Sequence, residues 1–483
     1  MPLILGTNSI KETGYNVANS ARFDDDTSDN IQRTYGTPTN SKIFALSWWI
    51  KLSKDPTVGA AGHDLWGERV DKYNRVFMAL NGTGQFDFFE RHSSSYVVEL
   101  KTNRVFRDVG AWYHILLLGD STQSTASNRI KLYINGVQET SFATETYPSQ
   151  NYDFRLAIGS STKYFARTGL GGSGMSTNYF EGYLAEVVFV DGTVTTHTDY
   201  GEFDEDSPTI WKPKDVSGLT FGNNGFYLDF ENASSLGADV SGNSNNFTVN
   251  NLTSVDQSSD SCTNNFATLN FLSGSLSGTT LSEGNLAVAN DGNGWRWRPS
   301  TIAPSSGKWY AEFKPTSSAP IYTYIGVTPQ YVWHTIDGEG IGVGSGLDRT
   351  DGGYSVGYEK SGAVYKNAQS QSGSWSSYTT DDIIGVALDL DNHKVYFSKN
   401  GTFQNSGDPT SGSTGTGAVS LNTSVGDWSI SPSFAGSAVS CNYGSAPYTI
   451  SSGNADANGY GNFEYAVPSG YFSLCTKNLA EFG

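Results

Sequence analysis

The chain has 483 residues, which is more than one hydrophobic core usually fills, so we expect two or three domains. Its 30 basic and 48 acidic residues give a formal net charge of -18, which excludes a basic stripe for nucleic acid and disfavours anionic membranes. No apolar run approaches membrane-spanning length, so no membrane insertion is expected.

Composition also indicates the fold class. The 55 glycines and 13% aromatic residues are typical of short strands joined by tight turns, and long helical periodicity is absent, so we predict an all-β protein. Cys262, Cys441 and Cys475 are odd in number and far apart, which predicts neither a disulfide framework nor a zinc site. The apolar stretch at residues 2–5 is too short for a secretory signal, and we expect the chain to be made and folded in a cytoplasm.

Five segments in the first 200 residues predict the strands of one sandwich. In residues 128–138, Ile130, Leu132 and Ile134 share one face before Asn135-Gly136 turns the chain. The five segments recur in the order found in laminin-G-like domains, and this half resembles that family of the concanavalin A-like lectin/glucanase class. They are FALSWWIKLSK (44–54), AWYHILLLGD (111–120), NRIKLYINGVQ (128–138), RLAIGSS (155–161) and FEGYLAEVVFVDGTVT (180–195).

The composition changes between the two halves of the chain. Residues 202–206, EFDED, form an acidic run, and residues 240–278 are rich in Ser, Asn, Thr and Gly, so we predict a connector over residues 206–280. Within it, residues 225–251 join an apolar strand to the turn DVSGNSNN, which resembles the opening of a laminin-G-like domain. We expect this strand to complete the first sandwich, as a circular permutation would, or to add to a neighbouring subunit.

The second half contains a complete predicted hairpin at residues 381–403. Apolar residues alternate from Ile384 to Leu390, Asp391-Asn392 opens a turn, and Asn400-Gly401 supplies a second tight turn. With four further segments, this hairpin resembles a SPRY domain, a fold that binds partners and rarely catalyses. The four segments are KWYAEFKP (308–315), YIGVTP (324–329), GGYSVGYEKSG (352–362) and SISPSFAG (429–436).

The order of these two domains, with the opening residues 6–36 and the ending residues 474–481, resembles virion-associated fibre or adhesin proteins of tailed bacteriophages. The resemblance implies two antiparallel, jelly-roll-like β-sandwich domains in tandem, at residues 1–205 and 281–483, the second with a C-terminal extension. It also implies other virion proteins as partners, a homo-oligomer with a trimer as the expectation, and a virion-surface location after synthesis in the bacterial host cytoplasm.

The glucanase relatives of the first domain raise an enzymatic alternative. Family-16 glucanases carry Glu-x-Asp-x-(x)-Glu on one strand, so that alternate carboxylates point into the cleft. The nearest string here, residues 202–206, ends in Asp206, carries the bulky Phe203 and follows the last recognisable strand of the domain. Asp229 and Glu231 also alternate, but no third carboxylate follows. We therefore predict no catalytic residues and no enzyme, with a glycan-degrading depolymerase as an alternative.

Two oxygen-rich turns are candidate calcium sites, because laminin-G-like relatives often hold calcium at one rim. The first contains Asp24 and Asp26, and the second places Asp239 and Asn243 at alternating ligand positions. The second turn lacks the distal glutamate of an EF-hand loop, since residue 250 is Asn250. Turns of this kind also cap loops with their own side chains, so both interpretations stay open. No other cofactor is predicted.

Aromatic residues in the loops of the second domain are the candidate ligand-binding residues. Tyr331, Trp333 and His334 follow a predicted strand in a loop rich in Gly and Asp, and Trp375 and Tyr378 lie in a polar, Ser-rich segment. The variable loops at one end of SPRY domains form their ligand surface, and aromatic rings stack on the apolar faces of sugars. A loop tryptophan can equally pin its own loop.

These observations favour a non-enzymatic virion surface protein that attaches a bacteriophage to a host cell-surface glycan or receptor. The first domain would bind the particle or a neighbouring subunit, and the second would present the recognition loops. The rival is a purely structural capsid decoration or fibre-base protein that makes only protein contacts. The sequence leaves open the receptor, the host and the position on head or tail.

Overall fold

The chain divides into two compact units, Thr13–Thr263 and Asn264–Gly483, and each is described by itself. The computed structural model describes residues 14–58, 62–71, 73–159, 161–167, 178–274, 278–290, 292, 295–317, 322–330, 354–366 and 369–483.

The first domain is built from two antiparallel eight-stranded sheets and a short hairpin. The first sheet has the order β10-β9-β8-β3-β13-β1-β18 with β16 also beside β13, the second has the order β11-β7-β6-β5-β4-β12-β2-β17, and β14 pairs with β15. The strands are β1 Ser20–Phe23, β2 Asn30–Thr34, β3 Ile43–Leu52, β4 His63–Arg69, β5 Arg75–Leu80, β6 Gln85–His92, β7 Ser95–Val105, β8 Trp112–Asp120, β9 Ile130–Ile134, β10 Val137–Gln138, β11 Phe142–Thr146, β12 Thr162–Phe165, β13 Gly182–Asp191, β14 Gly201–Phe203, β15 Trp211–Pro213, β16 Phe226–Leu228, β17 Thr248–Asn250 and β18 Gln257–Ser258. Short 3-10 helices cover Ala126–Asn128, His197–Asp199 and Ser254–Asp256.

Alternation along the strands of the second sheet separates a core face from an outer face. Phe86 and Phe88 of β6 are fully buried. The register of β5 with β6 places Val76 and Met78 of β5 on the same face of the sheet as these two phenylalanines. Asp87 lies between the two buried phenylalanines and therefore projects from the opposite face.

The predicted turn at Asn135-Gly136 is present between β9 and β10. Both residues have positive φ, 48° and 75°, as a two-residue hairpin turn requires. A side chain at Gly136 would also meet the ring of Trp211 at 2.1 Å, so the packing of β15 adds a second reason for glycine.

Residues 206–263, which the sequence predicts as part of a connector, lie in the first domain. Phe226–Leu228 pairs with β13 of the same chain, and β17 and β18 pair with β2 and β1. The physical reason is apolar burial: Phe226 is fully buried and Phe247 is 6% exposed. The domain boundary therefore falls at residue 263, and the strand expected in residues 225–251 is found within the first sandwich.

The second domain also consists of two sheets. One has the order β19-β20-β32-β22-β27-β28-β29, with β30 beside β28 and β33 beside β22, and the other has the order β21-β31-β23-β24-β25-β26. The strands are β19 Thr279–Ser282, β20 Ala287–Asn290, β21 Arg296–Trp297, β22 Lys308–Pro315, β23 Tyr322–Pro329, β24 Val356–Glu359, β25 Ala363–Lys366, β26 Gln369–Ser370, β27 Ile384–Asp389, β28 Lys394–Lys399, β29 Thr402–Phe403, β30 Val419–Ser420, β31 Trp428–Ala435, β32 Ala438–Asn442 and β33 Phe472–Ser473. A 3-10 helix covers Pro409–Thr414, and helix α1 covers Thr476–Phe482.

The predicted hairpin of the second half is β27 paired with β28. Its alternating residues Ile384, Val386 and Leu388 are fully buried in the core with Trp309 and Trp428. The fold class predicted from the sequence, all-β with antiparallel sandwich domains in tandem, is confirmed. Within the described ranges, no helix is long and apolar enough to cross a membrane.

Candidate functional site

The loop predicted to bind a ligand in the second domain is only partly described. Tyr331, Trp333 and His334 lie outside the described residues. Trp375 is half-buried and packs against the core of the second domain. Tyr378 is 4% exposed, and its hydroxyl lies 2.9 Å from the main-chain oxygens of both Thr323 and Tyr358.

The positions of Trp375 and Tyr378 correct the expectation that both lie on an open loop. A ring of which 4% is exposed offers no face to a sugar, and the hydroxyl of Tyr378 is satisfied by the main chain. Trp375 is half-buried, packs in part against the core and covers Gly373 of its own segment. The structure therefore gives Tyr378 a packing role, whereas ligand binding by Trp375 stays a prediction.

The acidic string at residues 202–206 forms a turn between β14 and β15. Asp204 accepts main-chain N–H groups of Asp206 and Ser207, and Lys212 lies 3.3 Å from its other oxygen. Glu202 lies 3.7 Å from the same lysine and is about half exposed. These carboxylates cap a turn and form surface ion pairs.

The first candidate calcium turn brings three carboxylates together. Oxygens of Asp24, Asp25 and Asp26 lie within 4.8 Å of one another, and oxygen is the ligand that calcium prefers. Burial, followed by the charges of the two neighbouring aspartates, raises the pKa of Asp26. Lys54 already contributes a positive charge, with its Nζ 3.3 Å from Asp25 and 3.6 Å from the buried Glu181. The donor set fits calcium, but the lysine supplies counter-charge without it.

The second candidate turn uses its side chains internally. Asp239 accepts the main-chain N–H groups of Tyr227 and Ser241 on one oxygen and that of Asn245 on the other. Asn243 donates its side-chain amide to the main-chain oxygen of Gly225. These bonds fasten the turn to β16, and a cation at Asp239 would have to displace them.

The second sheet of the first domain carries aromatic and arginine side chains on its outer face. Phe77 on β5 is paired with Phe89 on β6, and the two rings stack with centroids 5.0 Å apart. Tyr96 on β7 meets Phe89 edge-on at 5.2 Å, and the Arg75 guanidinium lies 5.0 Å above the Phe89 ring. These neighbours leave Phe89 6% exposed, whereas Tyr96 is 43% exposed. We call Tyr73, Arg75, Phe77, Phe89, Arg91 and Tyr96 the aromatic–arginine face.

Arg91 lies between two tyrosines of this face. Its guanidinium carbon is 5.7 Å from the centre of the Tyr73 ring and 5.4 Å from that of Tyr96. The pairing register of β6 with β7 shifts between Glu90 and Arg91, so that Val98 is opposite Glu90 while Tyr96 is opposite Arg91. This β-bulge therefore brings Tyr96 beside the arginine.

Two linked turns hold the tyrosine on the other side of Arg91. The main-chain N–H of Tyr73 donates to Asp71 Oδ1 at 2.7 Å, and Asn74 donates to the same carboxylate. Asn74 also accepts the N–H of Ser93, at 3.3 Å, from the turn between β6 and β7. These hydrogen bonds, that of the Asn74 side chain above all, lower the pKa of Asp71. The positions of both tyrosines are therefore set by main-chain geometry.

A polar row continues the same surface. Asp87 on β6 is paired with Lys101 on β7, and the Lys101 Nζ lies 3.5 Å from a carboxylate oxygen of Asp87. The other Asp87 oxygen, Oδ1, is buried and accepts no hydrogen bond. Burial raises the pKa of Asp87, and burial followed by the charge of Asp87 raises that of Glu99. An aromatic surface thus lies beside a row of charged donors and acceptors.

Comparisons with known proteins identify both domains. A profile of the Concanavalin A-like lectin/glucanases superfamily matches residues 25–198, and a SPRY domain profile matches residues 309–420. The chain carries a concanavalin A-like domain followed by a SPRY domain. The aromatic–arginine face belongs to the concanavalin A-like domain. A search of curated proteins found no match.

Several solved structures are similar to parts of the chain. The SPRY domain of human HERC1 is 18% identical, with a TM-score of 0.24, and the match covers 32% of this chain and 87% of that chain. A heptameric SAP-like pentraxin from Limulus polyphemus is 12% identical, with a TM-score of 0.27, covering 38% of this chain and 82% of that chain. A protein from Bacteroides ovatus described as carbohydrate binding is 13% identical, with a TM-score of 0.32, covering 50% of this chain and 60% of that chain.

A separate pocket of about 220 Å³ opens at the start of β3 in the concanavalin A-like domain. Its polar lining includes Asp120 and Gln123, and these two side chains are hydrogen-bonded to each other at 2.6 Å. Asp120 also accepts the hydroxyl of Thr122 at 2.6 Å. This carboxylate is therefore occupied by local hydrogen bonds, and the lining contains no aromatic side chain other than Phe44, which is 2% exposed.

The SPRY domain has an aromatic cluster of its own. Trp295 lies 5.3 Å from Tyr322 and 5.2 Å from Tyr324, measured between ring centroids. Tyr322 is 48% exposed, whereas Tyr324 is 4% exposed. Tyr322 thus matches the tyrosines of the aromatic–arginine face in exposure.

Sequence reasoning missed the aromatic–arginine face, although a signal was present. On both strands, apolar residues that face the core alternate with residues that face outward. The outward residues are Arg75, Phe77 and Ala79 on β5 and Asp87, Phe89 and Arg91 on β6. Aromatic residues at outward positions of consecutive strands are the pattern to look for. The contribution of Tyr73 and Tyr96 had no such signal, since it depends on a bulge and on a contact between two turns.

Proposed function

We propose that this protein is a non-enzymatic adhesin that binds host cell-surface glycans from the virion surface of a tailed bacteriophage. The observation that carries glycan binding is the aromatic–arginine face of the concanavalin A-like domain. It combines a stacked phenylalanine pair with two tyrosines that are 41% and 43% exposed.

The chemistry of this face suits a sugar. Pyranose rings present apolar C–H faces that lie against aromatic rings, and tyrosines lose little conformational entropy when they are ordered. Sugar hydroxyls need donors and acceptors beside the ring, and Asp87 and Lys101 lie on the same surface. The Lys101 Nζ, 3.5 Å from the other Asp87 oxygen and on a side chain that is 30% exposed, is a charged donor for such a hydroxyl.

The proposal places recognition in the first domain, whereas the sequence had suggested the loops of the second. The described part of the SPRY segment contributes a buried Tyr378 and a half-buried Trp375, which weakens that choice. The loop containing Tyr331, Trp333 and His334 stays a prediction.

The virion location rests on the resemblance in domain order and terminal segments. In this proposal the protein is a tail-fibre or adhesin component and a homo-oligomer, with a trimer as the expectation, and it contacts other virion proteins. The alternative is a structural capsid decoration or fibre-base protein. Immunogold labelling of intact particles with an antibody to the SPRY domain tests the location: label on the tail supports an adhesin, label on the head supports decoration, and no label removes the virion proposal.

Binding to glycans is tested on an oligosaccharide array with the full-length protein and two variants. Replacing both Tyr73 and Tyr96 with Ala removes two exposed anchors, and the loss of one anchor commonly costs about 2 kcal/mol, or roughly thirtyfold in affinity. The matched control is Tyr322→Ala, which removes a tyrosine of similar exposure from the SPRY domain.

The expected result is binding by the wild type and by Y322A, with loss in the Y73A/Y96A variant at an unchanged melting temperature. Loss in Y322A alone would move the site to the SPRY domain. The absence of any glycan ligand would favour the structural alternative.

A further inference from the structure

Arg91 has an unusual environment for a half-buried cation. Its guanidinium lies between the rings of Tyr73 and Tyr96, at 5.7 and 5.4 Å. Within the described part of the chain, it forms no ion pair and no hydrogen bond, and its Nε is buried without an acceptor. Its charge is therefore stabilised by two ring faces and by no anion.

The contrast with other buried cations of the same domain is informative. Lys51 is 2.5 Å from Asp260, and Arg155 is 2.5 Å from Glu68. Buried cations in proteins are normally paired in this way, because removing an unpaired charge from water is costly. Arg91 thus differs from these two cations and shares its environment with Arg167, whose guanidinium carbon lies 5.0 Å from the centre of the Tyr164 ring and 5.2 Å from that of Tyr179.

The guanidinium keeps hydrogen-bonding capacity for a ligand. Its N–H groups lie in the guanidinium plane, and within the described residues none of them donates to a protein acceptor. A carboxylate or sulfate accepts two parallel N–H bonds from the edge of such a group. The bulge at Glu90 and the hydrogen bond between the two turns position the main chain that carries both tyrosines.

We infer that Arg91, clamped between Tyr73 and Tyr96, is the subsite for the anionic group of an acidic glycan. The inference rests on the proposed function and specifies its ligand class: a sugar bearing a carboxylate or a sulfate. The sugar ring lies on the exposed tyrosine rings of the aromatic–arginine face, and its anionic substituent reaches Arg91 between them.

The net charge of -18 does not oppose this subsite at physiological salt. The Debye length there is about 8 Å, so distant carboxylates are largely screened while the contacts of Arg91 are not. Asp87 is partly neutralised by Lys101 at 3.5 Å. Local charge complementarity therefore favours an anionic sugar at this position and a neutral one elsewhere on the face.

The test compares acidic and neutral forms of the same saccharides by isothermal titration with the full-length protein. The probes are oligogalacturonate and its carboxyl-reduced form, and dextran sulfate and dextran, together with the best acidic and neutral members of the array. Arg91→Gln removes the charge, Arg91→Lys keeps the charge but not the planar fork, and Arg107→Gln is the control because it removes an exposed arginine of the same domain.

We expect R91Q to weaken binding of the preferred acidic saccharide at least tenfold, R91K to weaken it less, and R107Q to leave it unchanged. Neutral saccharides should bind all four proteins equally. Comparing the affinities for oligogalacturonate and for dextran sulfate shows whether the subsite binds a carboxylate or a sulfate.

Equal binding of acidic and neutral forms, unaffected by R91Q but lost in Y73A/Y96A, would overturn the anionic subsite and leave glycan binding intact. The absence of binding to every saccharide would overturn both. If R91Q proves unfolded by its melting temperature, R91K decides: unchanged affinity for every acidic saccharide would overturn the inference.

Discussion

Glu186 should make the stability of the concanavalin A-like domain fall as pH rises. This residue lies on β13 at a break in the register with β3, has a φ of 49° and is 5% exposed. The hydroxyls of Tyr227 and Tyr15 donate to its Oε2 at 2.8 and 3.3 Å. Burial outweighs these hydrogen bonds and raises the pKa of Glu186 from 4.5 to about 8.

The sign follows from the two states of the carboxyl. Below about pH 4.5 it is protonated in both the folded and the unfolded chain. Between that value and about pH 8 the unfolded chain ionises while the folded carboxyl stays protonated, so stability falls with each pH unit. At 1.36 kcal/mol per unit, the folded state loses about 5 kcal/mol over this window. Glu186→Gln keeps the shape and removes the titration.

We expect the free energy of unfolding of E186Q, relative to that of the wild type, to increase by about 5 kcal/mol when the pH is changed from 4 to 9. Free energies of unfolding are measured by urea titration of the full-length protein. Pulsed hydrogen exchange with mass spectrometry of first-domain peptides reports the unfolding of that domain at each urea concentration. The exposed Glu202→Gln is the control, and its difference from the wild type should vary by less than about 1 kcal/mol. Equal pH dependence in E186Q and the wild type would refute the reasoning that burial holds Glu186 protonated.

Three further outcomes are expected. Trp375→Ala should lower the melting temperature of the SPRY domain by about 4 to 8 °C, for a loss of roughly 2 kcal/mol, without affecting glycan affinity; weakened binding at an unchanged melting temperature would restore Trp375 as a ligand residue. A chelator should change the melting temperature of the first domain by less than about 2 °C, because Lys54 pairs with Asp25 and partly offsets the charge of the cluster Asp24–Asp26, and a fall of more than about 5 °C would mean that calcium is bound there. Long incubation with any bound glycan should release no reducing ends, and turnover that is abolished by Glu202→Gln would contradict the non-enzymatic assignment.

The strands and tight turns were predictable from the sequence because their determinants are local. The turn Asn135-Gly136 and the alternation from Ile384 to Leu390 each specify a conformation within a few residues. The place of residues 206–263 in the first domain was harder to predict from the sequence. Their Ser and Asn content is typical of a linker, yet scattered apolar residues such as Phe226 and Phe247 are buried in the first sandwich.

The site depended on information that single segments do not contain. Tyr378 is buried because the segment after β26 folds back over the core, and its polar neighbours give no sign of this. The aromatic–arginine face needs the lateral register of three strands and a bulge beside Glu90. The alternation along β6 predicts that Phe89 and Arg91 face outward. It does not predict which side chains of the adjacent strands lie beside them, because the register between strands is a tertiary property.

A crystal structure of the full-length protein with the highest-affinity saccharide from the array tests the central claim most directly. We expect a sugar ring against the exposed rings of Tyr73 and Tyr96, with the rest of the saccharide extending along β6 towards Lys101. Sugar density at the Trp295–Tyr322 cluster or on the loops of the SPRY domain, with the aromatic–arginine face empty, would contradict it.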